Sequence, residues 1–369
     1  MKVMMLIDSL VRGGRERRLL ELLKAFSKRK ELSATVVIFA DKVEYPDIHK
    51  LDCSLHILER KPAKDPRVFY RLWQLCRKEK PDLVHSWGWM PSVYALPACT
   101  GLGIPLLNAS ISDAPDDMHW GDPRYFRARI TFPFSRAIVG NSLAGLQVYH
   151  APKAKSHCIY NGFDQRRLDR LPSAEAVRRV LNLKAPLLVG MVGAFFDRKD
   201  YDTYLKAATW VLERTPNVEF LAIGSGPKLT EMQAKVPKEH RARIHFTGMV
   251  EEVETVVNCL DIGVLATYTE GISNAILEYM MLGKPVVAAG SGGIEEIVRE
   301  GETGYVLASG DWRGMGERIL ELLEQESLRR SMGQKGRQWV QERFSLPRME
   351  QDYLELYSQL TGLQSPVLA

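Results

Sequence analysis

From Val3 to Ala289 the chain alternates short apolar segments with stretches of helical spacing almost without a break. No other feature restricts the fold as much. A short apolar run rich in Val, Ile and Leu suits a strand buried on both faces, and parallel pairing requires a crossover between successive strands. The alternation therefore predicts an α/β protein with parallel sheets covered by helices on both sides. In the first half the strands fall at VMMLID, ATVVIFA, LHIL, DLVHSW, IPLLNA, RAIVGN and HCIYNG; in the second, at LLVGMVG, NVEFLAIG, RIHFTG, DIGVLAT and PVVAAG. A first helix is expected from Arg15, where Leu19, Leu20, Leu22, Leu23 and Phe26 recur on one side.

With 369 residues, 45% of them hydrophobic, the chain can bury two cores of ordinary size. The division is expected after Asn161-Gly162, where Asp164 to Arg170 turns polar and Pro172, Ser173 and Glu175 mark a new helix start. Two Rossmann-like domains are predicted at 1–165 and 184–345, with a linker at 166–183. Helices are expected at Asp311–Gln325 and Leu328–Phe344. The final segment, 346–369, carries Tyr353, Leu354, Leu356, Tyr357 and Leu360 and is expected to pack back on the first domain. Between Asp113 and Phe134 the periodicity fails, and a loop with a short helix is the reading.

Composition narrows the function. Fifty Lys and Arg against 45 Asp and Glu give a net charge of +5, too little to argue for nucleic acid; an anionic small substrate or an anionic membrane surface fits. Five scattered cysteines without a CxxC pair imply reduced thiols and no zinc site. Asp113, Asp116 and Asp117 lack His or Glu at ligand spacing, so no metal is expected there. MKVMMLID is too short for a signal peptide, and the longest apolar run, LLVGMVGAFF, ends after ten residues at Asp197. A cytoplasmic protein is expected, with peripheral binding at the inner face of the membrane as a further expectation. That second expectation rests on Trp120 to Phe134, where Arg124, Arg127 and Arg129 mix with Tyr125, Phe126, Phe132 and Phe134. No GxGxxG follows the first strand, which disfavours a dinucleotide dehydrogenase.

The chemistry concentrates in EGISNAILE, Glu270 to Glu278. A buried strand, DIGVLAT, leads through Gly271 into a helix for which Ser273 is the expected N-cap. Such a turn presents backbone N–H groups and a positive dipole end, an anion site, at Ile272, Ser273 and Asn274. Glu270 and Glu278 flank it and are suited to accept from hydroxyl groups. Past the strand LLVGMVG, Gly193 and the cations Arg198 and Lys199 stand where α/β sheets bind ligands, and a planar fork beside a point charge suits a diphosphate. Gly224 and Gly226 in IGSGP are expected to let a base or ribose approach the backbone. Met249, after the turn at Gly248, is placed to touch a base, and GSGGIEEIV supplies a second Gly-rich turn.

These motifs, together with GKPVVA and GETGYV, occur in an order and approximate spacing that resembles the C-terminal half of family-four retaining glycosyltransferases of the GT-B fold. The resemblance is specific from about Leu187 to Leu307. Earlier in the chain GGRERRLLELL, PDLVHSW and IYNGFD are similar to the family's Gly-Gly turn, fourth-strand segment and hinge. The resemblance implies two Rossmann-like domains facing a cleft, a nucleotide-sugar donor on the C-terminal one and a glycan or lipid-linked acceptor on the other. It implies that Glu278 binds ribose hydroxyls, that Glu270 meets the transferred sugar, and that Arg198 and Lys199 neutralise the leaving diphosphate. Gly13 and Gly14 match the loop that closes over the phosphates. Catalysis without a metal or other cofactor is implied too, leaving the helix dipole and the cations to stabilise the leaving group.

The chain departs from the family in two respects. The usual His after the strand IPLLNAS is replaced by Ile111-Ser112-Asp113, so Asp113, or His85 in HSWGW, is the candidate contact to the sugar or acceptor. Asp200 also stands where the family has Gly. Two alternatives follow: a GT-B-like nucleotide-sugar epimerase, and a non-catalytic nucleotide-sugar-binding protein.

Overall fold

The computed structural model describes residues 1–11, 13–62 and 65–363. It separates into two compact units, Met1–Gly162 with Leu346–Ala369, and Phe163–Ser345. Positions 364–369, the end of the segment expected to return to the first domain, lie outside the described residues.

Among the described residues the first unit forms a seven-stranded sheet. Its strands are β1 (Lys2–Ile7), β2 (Ser33–Ile38), β3 (Cys53–Ile57), β4 (Leu83–Ser86), β5 (Leu106–Ile111), β6 (Ala137–Gly140) and β7 (Ser156–Cys158). They run in the order β3-β2-β1-β4-β5-β6-β7, every pair parallel. Alternation along β1 shows why so apolar a strand is needed. Val3, Met5 and Ile7 pack with Leu19, Leu23 and Phe26 of helix Gly14–Phe26, while Met4 and Leu6 pack on the other face with Val68 and Leu72 of helix Arg67–Glu79. The irregular stretch after Asp113 contains helix Pro123–Thr131, started by the Asp122 carboxylate, which accepts from the Arg124 amide.

The second unit holds β8 (Leu187–Val192), β9 (Val218–Ile223), β10 (Ile244–Gly248), β11 (Ile262–Ala266), β12 (Val286–Ala289) and β13 (Gly304–Leu307). Their order is β10-β9-β8-β11-β12-β13, again parallel throughout. β13 is a strand that periodicity does not reveal: four residues opening on Gly304, where an added Cβ would lie 2.2 Å from the Val286 carbonyl oxygen. The expected linker is a correction. Residues 166–183 contain helix Ala174–Val180, capped by Ser173, and belong to the second unit. Val177 is buried, and the Arg178 guanidinium donates to the Ala185 and Pro186 carbonyls and, at 3.1 Å, to Asp261. A segment so anchored cannot swing as a linker.

Helix Leu346–Thr361 belongs to the first unit and buries Leu346, Met349, Tyr353, Leu354, Leu356 and Tyr357 against the β1 face that also receives the first helix. Each such side chain contributes roughly 1.5–3 kcal/mol relative to exposure. His85 of β4 is enclosed by this packing. Its Nδ1 lies 2.6 Å from the Tyr357 hydroxyl, its ring stacks on Trp87, and Arg18, itself buried, sits over the same indole. Burial, reinforced by the Arg18 charge, pushes the imidazole pKa well below the ordinary 6.5. The folded protein therefore keeps His85 neutral while the unfolded chain protonates it below about pH 6.5. Stability is lost as pH falls through that value, by up to about 1.4 kcal/mol per pH unit. Denaturant titrations from pH 7.5 to 5.5 should show a steeper decline for the wild type than for His85→Gln; parallel declines would contradict the buried neutral imidazole.

Candidate functional site

In the second unit the strand order reverses beside β8, whose neighbours are β9 and β11. Loops leaving the carboxyl ends of such strands diverge and open a crevice, the usual ligand position in an open parallel sheet. Here the loop after β8 does not stay open. It returns to the end of β11: the Asp200 amide donates to the Ala266 carbonyl at 3.1 Å, Lys199 and Thr267 form an antiparallel bridge, and the Tyr268 amide donates to the Arg198 carbonyl at 3.0 Å. Asp200 then caps helix Tyr201–Leu212 through the Thr203 amide and hydroxyl. The departure from Gly at this position is accordingly a helix cap.

This return sets the Lys199 ammonium against the Glu270 carboxylate in a direct ion pair. Their side chains are 9% and 19% exposed, so the pair is partly desolvated yet borders open space. Lys199, Phe196 and Tyr268 help to wall a cavity of about 290 Å³. Arg198 differs from its neighbour in being exposed, with no side-chain hydrogen bond or ion pair among the described residues. Glu270 is held from behind as well. It bridges Gly292, and its carbonyl accepts from the Gly293 amide at 2.9 Å, so the GSGG turn braces Glu270.

The glycines of IGSGP make room for backbone. A Cβ on Gly224, at φ +142°, would lie 2.1 Å from the Gly193 carbonyl oxygen, and one on Gly226, at φ +154°, 2.7 Å from that of Phe195. The close approach is made by the chain's own loop: the Phe195 amide donates to the Ser225 carbonyl and the Lys228 amide to the Phe195 carbonyl. These turns fix the Gly193–Phe195 backbone from one side. Gly193 itself is held by Tyr201, whose hydroxyl donates to its carbonyl at 2.6 Å.

Ile272 and Ser273 are buried and Asn274 half-buried at the start of helix Asn274–Met281. Ser273 occupies the N-cap position, but its side chain makes no capping bond, in contrast to Asp200 and Ser173. Glu278 is 2% exposed and paired with Arg167 at 3.2 Å; Arg167 also pairs with buried Glu254 and lies over the Phe163 ring. Met249 is 63% exposed next to Gly248. Gly13 and Gly14 open helix Gly14–Phe26 of the first unit, with Glu16 folded back beside Gly13.

Of the two first-unit candidates, His85 is a correction and Asp113 is engaged by its neighbours. His85 is fully buried and engaged by Tyr357, so its side chain is closed to an incoming sugar or acceptor. Asp113 is partly exposed, but its two carboxylate oxygens are taken by Arg124 and, at 3.0 Å, by the Tyr149 hydroxyl. Among the described residues no group of three or more His, Cys, Asp or Glu side chains is placed to hold a metal ion. Two participants escaped sequence reading: Arg167, 111 positions from Glu278, and Tyr279, which looks in the sequence like another core residue of EYMM. The one available signal for Tyr279 was Gly263, a glycine inside a strand, which marks the close approach of another group.

The two halves match two family models, one described as Glycosyltransferase Family 4 over residues 12–167 and one as Glycosyl transferases group 1 over residues 186–325. N-acetyl-alpha-D-glucosaminyl L-malate synthase of Bacillus anthracis is 21% identical over 322 residues, 85% of this chain and 84% of that protein. The capsular polysaccharide biosynthesis glycosyltransferase CapM of Staphylococcus aureus is 26% identical over 189 residues, 50% of this chain and 48% of its own length. A crystal structure of Anabaena Alr3699/HepE in complex with UDP and glucose superposes with a TM-score of 0.83 at 20% identity, covering 98% of this chain and all of that one. The parallel sheets of the two units and these matches agree on the GT-B architecture, and the chain belongs to the family-four and group-1 glycosyltransferases.

Proposed function

We propose that this glycosyltransferase is a retaining enzyme that moves a sugar from a UDP- or GDP-sugar to a glycan or lipid-linked acceptor, without a metal. The observation that carries this reading is the Lys199–Glu270 pair at the carboxyl ends of β8 and β11. An arriving diphosphate competes with Glu270 for the ammonium, and the carboxylate so released accepts from a hydroxyl of the sugar. Both groups are then already in place, and little reorganisation is needed as charge builds on the leaving group. Arg198, exposed and unengaged, adds a second cation to the diphosphate. Glu278 accepts from the ribose, with Arg167 and Glu254 holding it in its buried position, and the first turn at Ile272, Ser273 and Asn274 faces the phosphates. Gly193, Gly224 and Gly226 hold the loop that carries the cations, and Met249 meets the base. The leaving diphosphate takes the acceptor's proton on the face it departs from, so no protein carboxylate is needed as a nucleophile. UDP occupies the structurally similar Anabaena protein, which supports a uridine donor first.

Thermal melts with UDP, GDP, ADP and NAD at matched concentrations test the donor class. UDP or GDP should give the largest shift, since a ligand at a hundred times its Kd adds about 2.7 kcal/mol. Stabilisation by NAD alone would contradict the proposal.

A lipid-linked acceptor, and with it a peripheral membrane contact, is favoured by one surface of the first unit. Helix Pro123–Thr131 turns Tyr125, Ala128 and Thr131 inward and leaves Phe126 51% exposed; Trp120 and Phe134, on either side of it, are 63% and 61% exposed. Arg129 lies over Trp120, and Lys155 donates to the Pro133 carbonyl, so cations ring the exposed aromatics. Aromatic side chains amid Arg and Lys suit an interface with anionic lipid. In flotation assays the protein should rise with vesicles containing phosphatidylglycerol and not with phosphatidylcholine alone, and Phe126→Ser/Phe134→Ser should abolish the difference. Equal recovery with both vesicles would remove the membrane contact.

A further inference from the structure

We infer that Tyr279 is a positioning residue for the reaction, clasping the ends of β8 and β11 so that the loops they emit keep Lys199 and Glu270 in register. This inference rests on the reading of that pair as the donor site. Helix Asn274–Met281 carries Tyr279 fully buried, immediately after Glu278. Its hydroxyl accepts from the Val192 amide at 2.6 Å and donates to the Val264 carbonyl at 3.1 Å. Val192 is the last residue of β8, and Val264, opposite Met191, is the last β11 residue paired with that strand. The phenol therefore straddles the final rung between the two strands. One residue beyond Val192, the chain enters the loop that ends at Lys199; three residues beyond Val264 it reaches Thr267, which bridges Lys199 and precedes Glu270.

The ring reaches this place because β11 has a glycine beneath it. A Cβ on Gly263 would lie 2.2 Å from Tyr279 Cγ. Gly263 and Tyr279 thus form one device: a missing side chain admits the ring, and the ring delivers a hydroxyl to two backbone groups of different strands. The loop from Gly193 to Arg198 is consequently fixed to β11 at both ends, by the phenol at its root and by the Lys199 and Asp200 contacts at its tip. Losing the root lets the loop tilt about its tip, and the ion pair with it, while the sheet core beneath keeps its packing.

Tyr204 provides a matched control. It is also fully buried, on helix Tyr201–Leu212, and its hydroxyl donates to the Leu221 carbonyl at 2.8 Å, along the strand bodies and away from their ends. Tyr279→Phe and Tyr204→Phe each remove one buried hydroxyl and leave the ring, and both should lower the melting temperature by a few degrees. Only Tyr279→Phe should speed amide hydrogen exchange in peptides spanning 193–200 and 267–271, by at least tenfold and well below the melting transition. In hydrolysis of UDP-glucose and GDP-glucose, Tyr279→Phe should lower kcat at least tenfold with KM changed less than threefold, whereas Tyr204→Phe should keep the wild-type kcat. Unchanged exchange in those peptides, or accelerated exchange with wild-type kcat, would overturn the inference. If the wild type hydrolyses neither donor, the donor reading fails, and the exchange contrast between the two variants alone decides whether the clasp exists.

Discussion

Two loops from neighbouring parallel strands are hydrogen-bonded to each other, and the candidate site depends on that closure. Loops at the carboxyl end of a parallel sheet normally diverge, because each must turn into its own crossover helix. In the second unit the β8 loop comes back onto β11 before its helix begins, and backbone bonds from the Asp200 amide to the Ala266 carbonyl and from the Tyr268 amide to the Arg198 carbonyl hold it there. An ammonium from one strand's loop and a carboxylate from the next strand's loop consequently meet without any help from a long flexible side chain crossing open solvent. The rest of the site reinforces this junction: the Gly224–Gly226 turn from the β9 side, the Gly292–Gly293 turn from the β12 side, and Asp200 as the cap that ends the loop.

The energetics of such a pair favour exchange over permanence. A partly buried ion pair gains little net stability, because the attraction is spent on desolvating both charges. Removing one partner is costly all the same, since the other is then left poorly solvated. A site built on these terms holds both charges in place at low net cost and yields readily to a ligand offering a phosphate to one and a hydroxyl to the other. Glu278 illustrates the second half of the design. It is buried, and its charge is met by Arg167 from the segment that opens the unit. The same guanidinium meets Glu254, which turns an isolated buried carboxylate into part of a network.

The fold was legible in the sequence because its strands are buried on both faces, and that demands unbroken apolar runs such as MMLI, LLVGMV and IGVLA. β13 escaped because Gly304 opens it and only four residues follow the pattern. The segment 166–183 looked like a linker because its anchors are arginines, whose carboxylate partners, Asp261 for Arg178 and Glu254 and Glu278 for Arg167, lie far along the chain. The candidate site was legible as a set of positions and less so as a set of contacts. Lys199, Glu270 and Glu278 stand at strand ends or at a helix start, and spacing finds such places. What spacing cannot find is which group faces which: that the GSG glycines make room for backbone, that His85 faces Tyr357, that Arg124 holds Asp113, or that a tyrosine in a core helix reaches across to two strands. Each of those facts depends on contacts between residues remote in sequence, and a single sequence carries no trace of them beyond an occasional glycine such as Gly263.

Calorimetric titration of the better-bound of UDP and GDP into the wild type and Lys199→Ala tests most directly whether the closed junction is a nucleotide-sugar site. A charge-assisted hydrogen bond contributes about 1.5–3 kcal/mol, so the variant should bind the nucleotide at least tenfold more weakly, while Glu270→Ala, which removes the sugar's partner and the diphosphate's competitor for Lys199, should bind it no more weakly than the wild type does. Wild-type affinity in Lys199→Ala would mean that the pair is a structural brace and that the donor lies elsewhere.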